Sequence, residues 1–252
     1  MGFYDLSKDE RIKLAAQIHS DLLIEFQKNQ NNFLKKYFSD DTYIRKAAYI
    51  AVGRIFKENQ AIQKQIIALL EEFLQNGDEK IRQTAINAAG EIGIIDFEII
   101  KHLFEKGLMD SHPIVRNAVI GSLKKMSEKN PKSTLQFARE YIHHPDIEIR
   151  REICHGIELR GRTHPEEVLP ILQELEFDPA PRVYNTIIHV IGQISYKKGC
   201  LEKVIAHLKN WQNQELVQKA HQEIVEVHKN YQNFAARTPE AVKEYIDKTM
   251  SG

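Results

Sequence analysis

Arg151, His155 and Glu158 stand at i, i+4 and i+7, on one face of a helix, and His189 follows His155 by 34 residues. An imidazole beside a carboxylate can pass a proton, so a His/Glu acid–base pair can be drawn from this set. Two imidazoles and a carboxylate are also donors that a transition metal accepts. Stacked helices bring such groups together without any chemistry behind them, so no catalytic residue, metal ligand or cofactor is assigned. His143-His144 precede a proline in a turn and read as solvent-exposed. Cys154 falls in a column shared with Ile86, Ile120 and Ile188, a packing position rather than that of a nucleophile. There is no glycine-rich phosphate cradle and no nucleophile elbow. The residues lean against an enzyme.

The elements that must position these groups are bounded by composition. The chain has 252 residues, and Lys+Arg and Asp+Glu number 35 each, so the net charge is zero. That excludes a uniformly basic nucleic-acid module and an acidic tail, while leaving local patches open. Hydrophobic residues make up 42%, and no apolar run reaches the length of a membrane span. The N-terminus, MGFYDLSKDERIKL, carries no apolar signal segment. Two cysteines supply neither a disulfide framework nor a zinc spacing. The expectation is a soluble, cytoplasmic chain with no membrane partner.

An internal repeat organises the chain. Ile44-Arg45, Ile81-Arg82, Val115-Arg116 and Ile149-Arg150 recur at steps of 37, 34 and 34, and further steps of 34 reach Val183-Tyr184 and Val217-Gln218. Counted from each arginine or its equivalent, position −1 is always Ile or Val. Position +7 reads Val52, Ala89, Leu123, Ile157, Ile191 and Val225, and position +3 is apolar in every unit until His221. Offsets of −1, 3 and 7 are helical, so each unit contributes one amphipathic helix after its anchor. A second helix fills the rest of each period. Prolines fall at helix entries, at Pro113, Pro131, Pro145, Pro165, Pro181 and Pro239, whereas Pro170 falls inside a helix.

The expected architecture is all-α: a right-handed α-α superhelix of about six helix pairs, a solenoid in which no pair buries its apolar face alone. As domains, residues 1–252 read as one: an N-terminal capping helix at 1–28, six repeats over 29–230, and a loop with a C-terminal capping helix at 231–252. The Asp-x-x-Ile/Val-Arg signature at Asp41–Arg45, Asp78–Arg82 and Asp146–Arg150 resembles HEAT repeats. That resemblance implies an Asp/Arg ladder between neighbouring repeats, here Asp41, Arg45, Asp78, Arg82, Arg116, Asp146 and Arg150, with the second helices lining a concave face.

If the second helices face inward, positions +1, +5 and +8 form solvent-facing columns. The middle units then offer Asn117, Lys124, Arg151, His155, Glu158, Asn185 and His189 as groove-binding residues. The fourth unit departs from the others, with Glu152 and Arg160 where most carry small or apolar residues. Basic residues outnumber acidic ones over 113–164, and Glu166, Glu167, Glu174, Glu176 and Asp178 follow closely. A basic centre beside an acidic rim would be hidden by the zero net charge.

Two functions from different classes fit. The first is a non-catalytic scaffold binding a protein or peptide partner in the groove. The second rests on a partial resemblance to the HEAT-like bacterial alkylpurine DNA glycosylases, carried by Arg150-Arg151 with Gly156 and by Asp178-Pro179. It implies a DNA partner and alkylation repair, with or without base excision. The sequence departs from those enzymes in having a single tryptophan, Trp211, and no matching catalytic Asp.

Overall fold

The computed structural model describes residues 3–28 and 32–250 and is helical throughout, with no strand among the described residues. The chain falls into two compact units, Met1–Asn130 and Pro131–Gly252. The expected repeat start at residue 29 lies outside the described residues.

In the first unit a long helix α1 (Lys8–Lys28) precedes three helix pairs: α2 (Asn32–Ser39) with α3 (Thr42–Glu58), α4 (Gln63–Phe73) with α5 (Glu79–Gly93), and α6 (Lys101–Leu108) with α7 (Pro113–Lys129). The second helices stack side by side, α3 on α5 and α5 on α7, while α1 packs on α3 as a cap. The apolar stripe read from the sequence is the seam: Ala48, Val52, Ala85, Ala89, Val119 and Leu123 are all buried. Glycine sets how close the helices come. A Cβ added at Gly90 would lie 2.5 Å from the Ser122 hydroxyl oxygen.

In the second unit α8 (Pro131–Tyr141) pairs with α9 (Ile147–Gly156) and its short continuation α10 (Glu158–Gly161). Then α11 (Pro165–Gln173) pairs with α12 (Pro181–Gln193) and α13 (Cys200–Leu208) with α14 (Gln214–Asn230), and α15 (Pro239–Met250) closes the end on α14. The sequence predicts one continuous helix after Arg150; it is interrupted at Ile157, between the buried Gly156 and Glu158. Five of the proline positions open a helix as expected, and Pro170 lies inside α11. Asp41, Asp78 and Asp146 cap α3, α5 and α9, accepting the backbone N–H of Tyr43, Lys80 and Glu148.

Trp211 closes the core of the second unit. It is 1% exposed, and its indole N–H donates to His207 Nδ1 at 2.9 Å. Burial holds His207 below the ordinary imidazole value of 6.5, and it acts in the same direction on His221 and His228. Imidazoles in the unfolded chain therefore gain protons near pH 6.5 that the folded chain resists. Stability is fully present above pH 6.5 and is lost as the pH falls through the lowered folded values. The urea midpoint is expected to be lower at pH 5.5 than at pH 7.5, and less so in His207→Gln; equal midpoints in the wild type would contradict this.

Candidate functional site

The repeated arginines are built into turns. Arg82 Nη1 donates to the carbonyls of Asn76 and Gly77, Arg116 Nη1 to those of Asp110 and Ser111, and Arg150 Nη1 to those of His144 and Pro145. Each guanidinium thus ties down the turn that leads into its own helix. Arg82 also grips Asp110 through Nε (2.7 Å) and Nη2 (3.0 Å), and Arg150 grips Asp178 in the same way at 2.6 and 3.1 Å. Both acids lie 28 residues after their arginine, in the turn between the two helices of the next pair.

A ladder between repeats is therefore present, but its acids are Asp110 and Asp178 rather than Asp78 and Asp146. The signature aspartates are helix caps, because a carboxylate at that position is closer to the free N–H groups of its own helix than to the guanidinium. Burial alone would raise the Asp110 carboxyl, but the Arg82 bonds and the His112 N–H outweigh it and hold it below its usual range. Arg45 donates instead to Gln83 and to Thr42.

In the second unit α9 and α12 carry four of the residues expected to line a groove. Asn185 is exposed, and Arg151, His155 and His189 are partly so. The rings of His155 and His189 meet edge to face, with centroids 5.7 Å apart. His189 Nδ1 lies 3.6 Å from Glu223 Oε1, which extends the line onto α14. Asn117 and Lys124 lie on α7 of the first unit, Asn117 exposed and Lys124 half-buried.

Glu158 differs from its expected place. It is only 2% exposed, and the +8 column to which it belongs is mostly a helix–helix seam, since Gly53, Gly90 and Gly192 are buried there as well. Neighbouring second helices approach most closely along that line: a Cβ at Gly192 would meet Glu223 Cγ at 2.6 Å. Glu158 fits because Arg162 Nη2 donates to its Oε1 at 2.6 Å, and the same nitrogen donates to Gln193 Oε1 at 2.8 Å.

The charge segregation read along the sequence is cancelled in space. Arg160 takes Glu167 through two bonds of 2.9 and 2.7 Å, Lys203 takes Glu166, and Arg139 and His143 both take Glu174. Burial would raise the Glu166 carboxyl, but its own backbone N–H and Lys203 lower it on balance, and the Arg160 bond lowers Glu167. Arg151 is bracketed by Glu148 at 3.0 Å and Glu152 at 3.7 Å, and Arg182 reaches Glu148 at 2.5 Å. Glu176, read as part of an acidic rim, is buried and accepts the backbone N–H groups of Gln212 and Asn213. Cys154 is fully buried, and burial pushes its thiol up to about 12, the wrong direction for a nucleophile.

Helix pairs of this period, with capping aspartates and turn-binding arginines, can be set beside known proteins. Residues 31–124 match HEAT repeats. Among solved structures, AlkD2 from Streptococcus mutans is similar over 81% of this chain and 96% of its own, at 20% identity and a TM-score of 0.56. The smu.31 protein from Streptococcus mutans UA159 is similar over 82% and 96%, at 20% identity and a TM-score of 0.51. At that identity the likeness is one of fold. No curated protein matches the chain in sequence. The chain is all-helical and HEAT-like, and within the stretch similar to HEAT repeats the Arg82–Asp110 clamp links successive helix pairs. Among the described residues no helix is long and apolar enough to cross a membrane.

Proposed function

We propose that the protein is a non-catalytic helical-repeat scaffold that binds a protein or peptide partner on the exposed face of its second helices. The observation that carries this reading is the pairing of cations on that face. Arg151 lies between Glu148 and Glu152, and Arg182 is matched by Glu148. A phosphate backbone is held by cations that exchange condensed counterions for it, and cations already neutralised by carboxylates supply little of that drive. What the face does offer is amide, imidazole and mixed charge, at Asn185, His155 and His189, which suits the polar rim of a protein interface. Its two cysteines are buried and unpaired, which fits a reducing cytoplasmic location.

The alternative is a DNA-binding protein related to the alkylpurine DNA glycosylases, favoured by the fold likeness to AlkD2. Trp211, the single tryptophan that could have served as an aromatic platform for a base, is enclosed in the core. Anisotropy of a labelled duplex, plain or methylated, decides between them across salt. The scaffold reading predicts no binding beyond the weak non-specific range of about 10⁻⁴–10⁻⁶ M at physiological salt. It also predicts no added loss in the Arg151→Glu, Lys124→Glu variant. Tight, salt-dependent binding abolished by that pair would overturn the scaffold in favour of DNA.

A further inference from the structure

We propose that His155, Glu158 and His189 form a binding site for a divalent transition metal, with Zn²⁺ the best-matched ion. One ligand atom from each of the three residues can be chosen so that all lie within 4.8 Å of one another. His155 Nδ1 is 3.5 Å from Glu158 Oε2. Two ligands at the usual Zn–N and Zn–O lengths of about 2.0–2.1 Å in a tetrahedron stand about 3.3 Å apart, so small side-chain rotations close the set around one ion. Two imidazoles and one carboxylate are a zinc donor set that leaves the fourth position to solvent.

The repeat explains why these groups meet. His155 and His189 occupy the same position of successive units, and stacking places equal positions side by side. Glu158 is delivered from the same helix face as His155, three residues on, just beyond the interruption at Ile157. The equivalent positions of the other units hold Gly53, Gly90, Lys124, Gly192 and the exposed Glu226, so a buried carboxylate there is specific to this unit.

Its surroundings are those of an oriented ligand. Arg162 holds Oε1, and the other oxygen, Oε2, is the one facing His155. Glu223, one repeat further on, lies 3.6 Å from His189 Nδ1, placed as the outer carboxylate that fixes a metal-bound imidazole. The guanidinium on Glu158 competes for its charge and so weakens the hold on the ion. His155 is partly exposed and His189 half-exposed, which gives the ion a path in and leaves the open position toward solvent.

Metal uptake is read on the full chain with no partner present, so it stands or falls apart from the scaffold reading. The EDTA-treated protein is titrated with CoCl₂, followed by visible absorption, and with ZnCl₂, followed by calorimetry. The expected result is one equivalent of Co²⁺ with a d–d band of four-coordinate strength, displaced by Zn²⁺. His189→Ala, whose side chain is half-exposed and whose fold is checked by circular dichroism, is expected to weaken Zn²⁺ at least about tenfold and abolish the band. His143→Ala, which removes an exposed imidazole elsewhere, is expected to keep both. Glu158→Gln, which keeps an acceptor for Arg162, is expected to lose the band as well. Wild type taking up no stoichiometric metal, or His189→Ala and Glu158→Gln binding as tightly as wild type, would overturn the site.

Discussion

Replacing Asp178 by alanine is expected to destabilise the second unit by about 3–5 kcal/mol in urea unfolding, among the largest costs of any exchange of a polar side chain in that unit. Its side chain is 4% exposed and that of Arg150 is 11% exposed, so the pair is shielded from the screening that makes surface ion pairs weak. The carboxylate takes both Nε and Nη2 of Arg150, and its Oδ1 also accepts the Ala180 N–H at the entry of α12. The alanine variant leaves a buried guanidinium whose remaining partners are the His144 and Pro145 carbonyls. Asn in place of Asp keeps the turn acceptor and one bond from Arg150, and is expected to cost less. A double variant with apolar residues of similar volume at 150 and 178 should recover much of the loss. A cost below about 1 kcal/mol for Asp178→Ala would place the pair with ordinary surface bridges and remove the inter-repeat clamp from this account.

Trp211→Ala is expected to cost about 3–5 kcal/mol, through lost burial and the cavity left behind. The indole is 1% exposed, and its N–H is satisfied by His207, so alanine also strips that imidazole of its donor. Phe at 211 fills most of the space and leaves only the hydrogen bond unmade, so a much smaller loss is expected. In the folded chain the tryptophan fluorescence should be blue-shifted and resistant to iodide quenching. Ready quenching, or an alanine variant as stable as wild type, would put the side chain at the surface, where it could again serve as a stacking platform.

The helical stack was legible because period and burial are coupled. Positions −1, +3 and +7 had to be apolar to close the seams, and Ile81, Val119 and Ile187 are buried as that requires. The clamp was only half legible. Arg82 and Arg150 stand out by recurrence, but their partners, Asp110 and Asp178, stand 28 residues away in the turns before α7 and α12. The nearer aspartates invited the pairing and are caps. A fixed Arg-to-Asp step of 28, present twice, was the signal available to find the true partners.

The columns mislead where backbones come closest. Glycine at +8 in three units signals contact rather than exposure, and that places Glu158 in the seam with Arg162 rather than in open solvent. Charge was the least legible feature, because Glu166, Glu167 and Glu174 find cations contributed by helices α8, α10 and α13. A linear window could not show that cancellation.

The face of α9, α12 and α14 as a protein-binding surface is tested most directly by photo-crosslinking in living cells, with a photoreactive amino acid at Asn185. The control position is Ala206, exposed on the first-helix side of the same unit. Discrete protein adducts are expected from position 185, resistant to nuclease, absent from position 206 and lost on Arg151→Glu. Nuclease-sensitive adducts from 185, or the same bands from both positions, would contradict it.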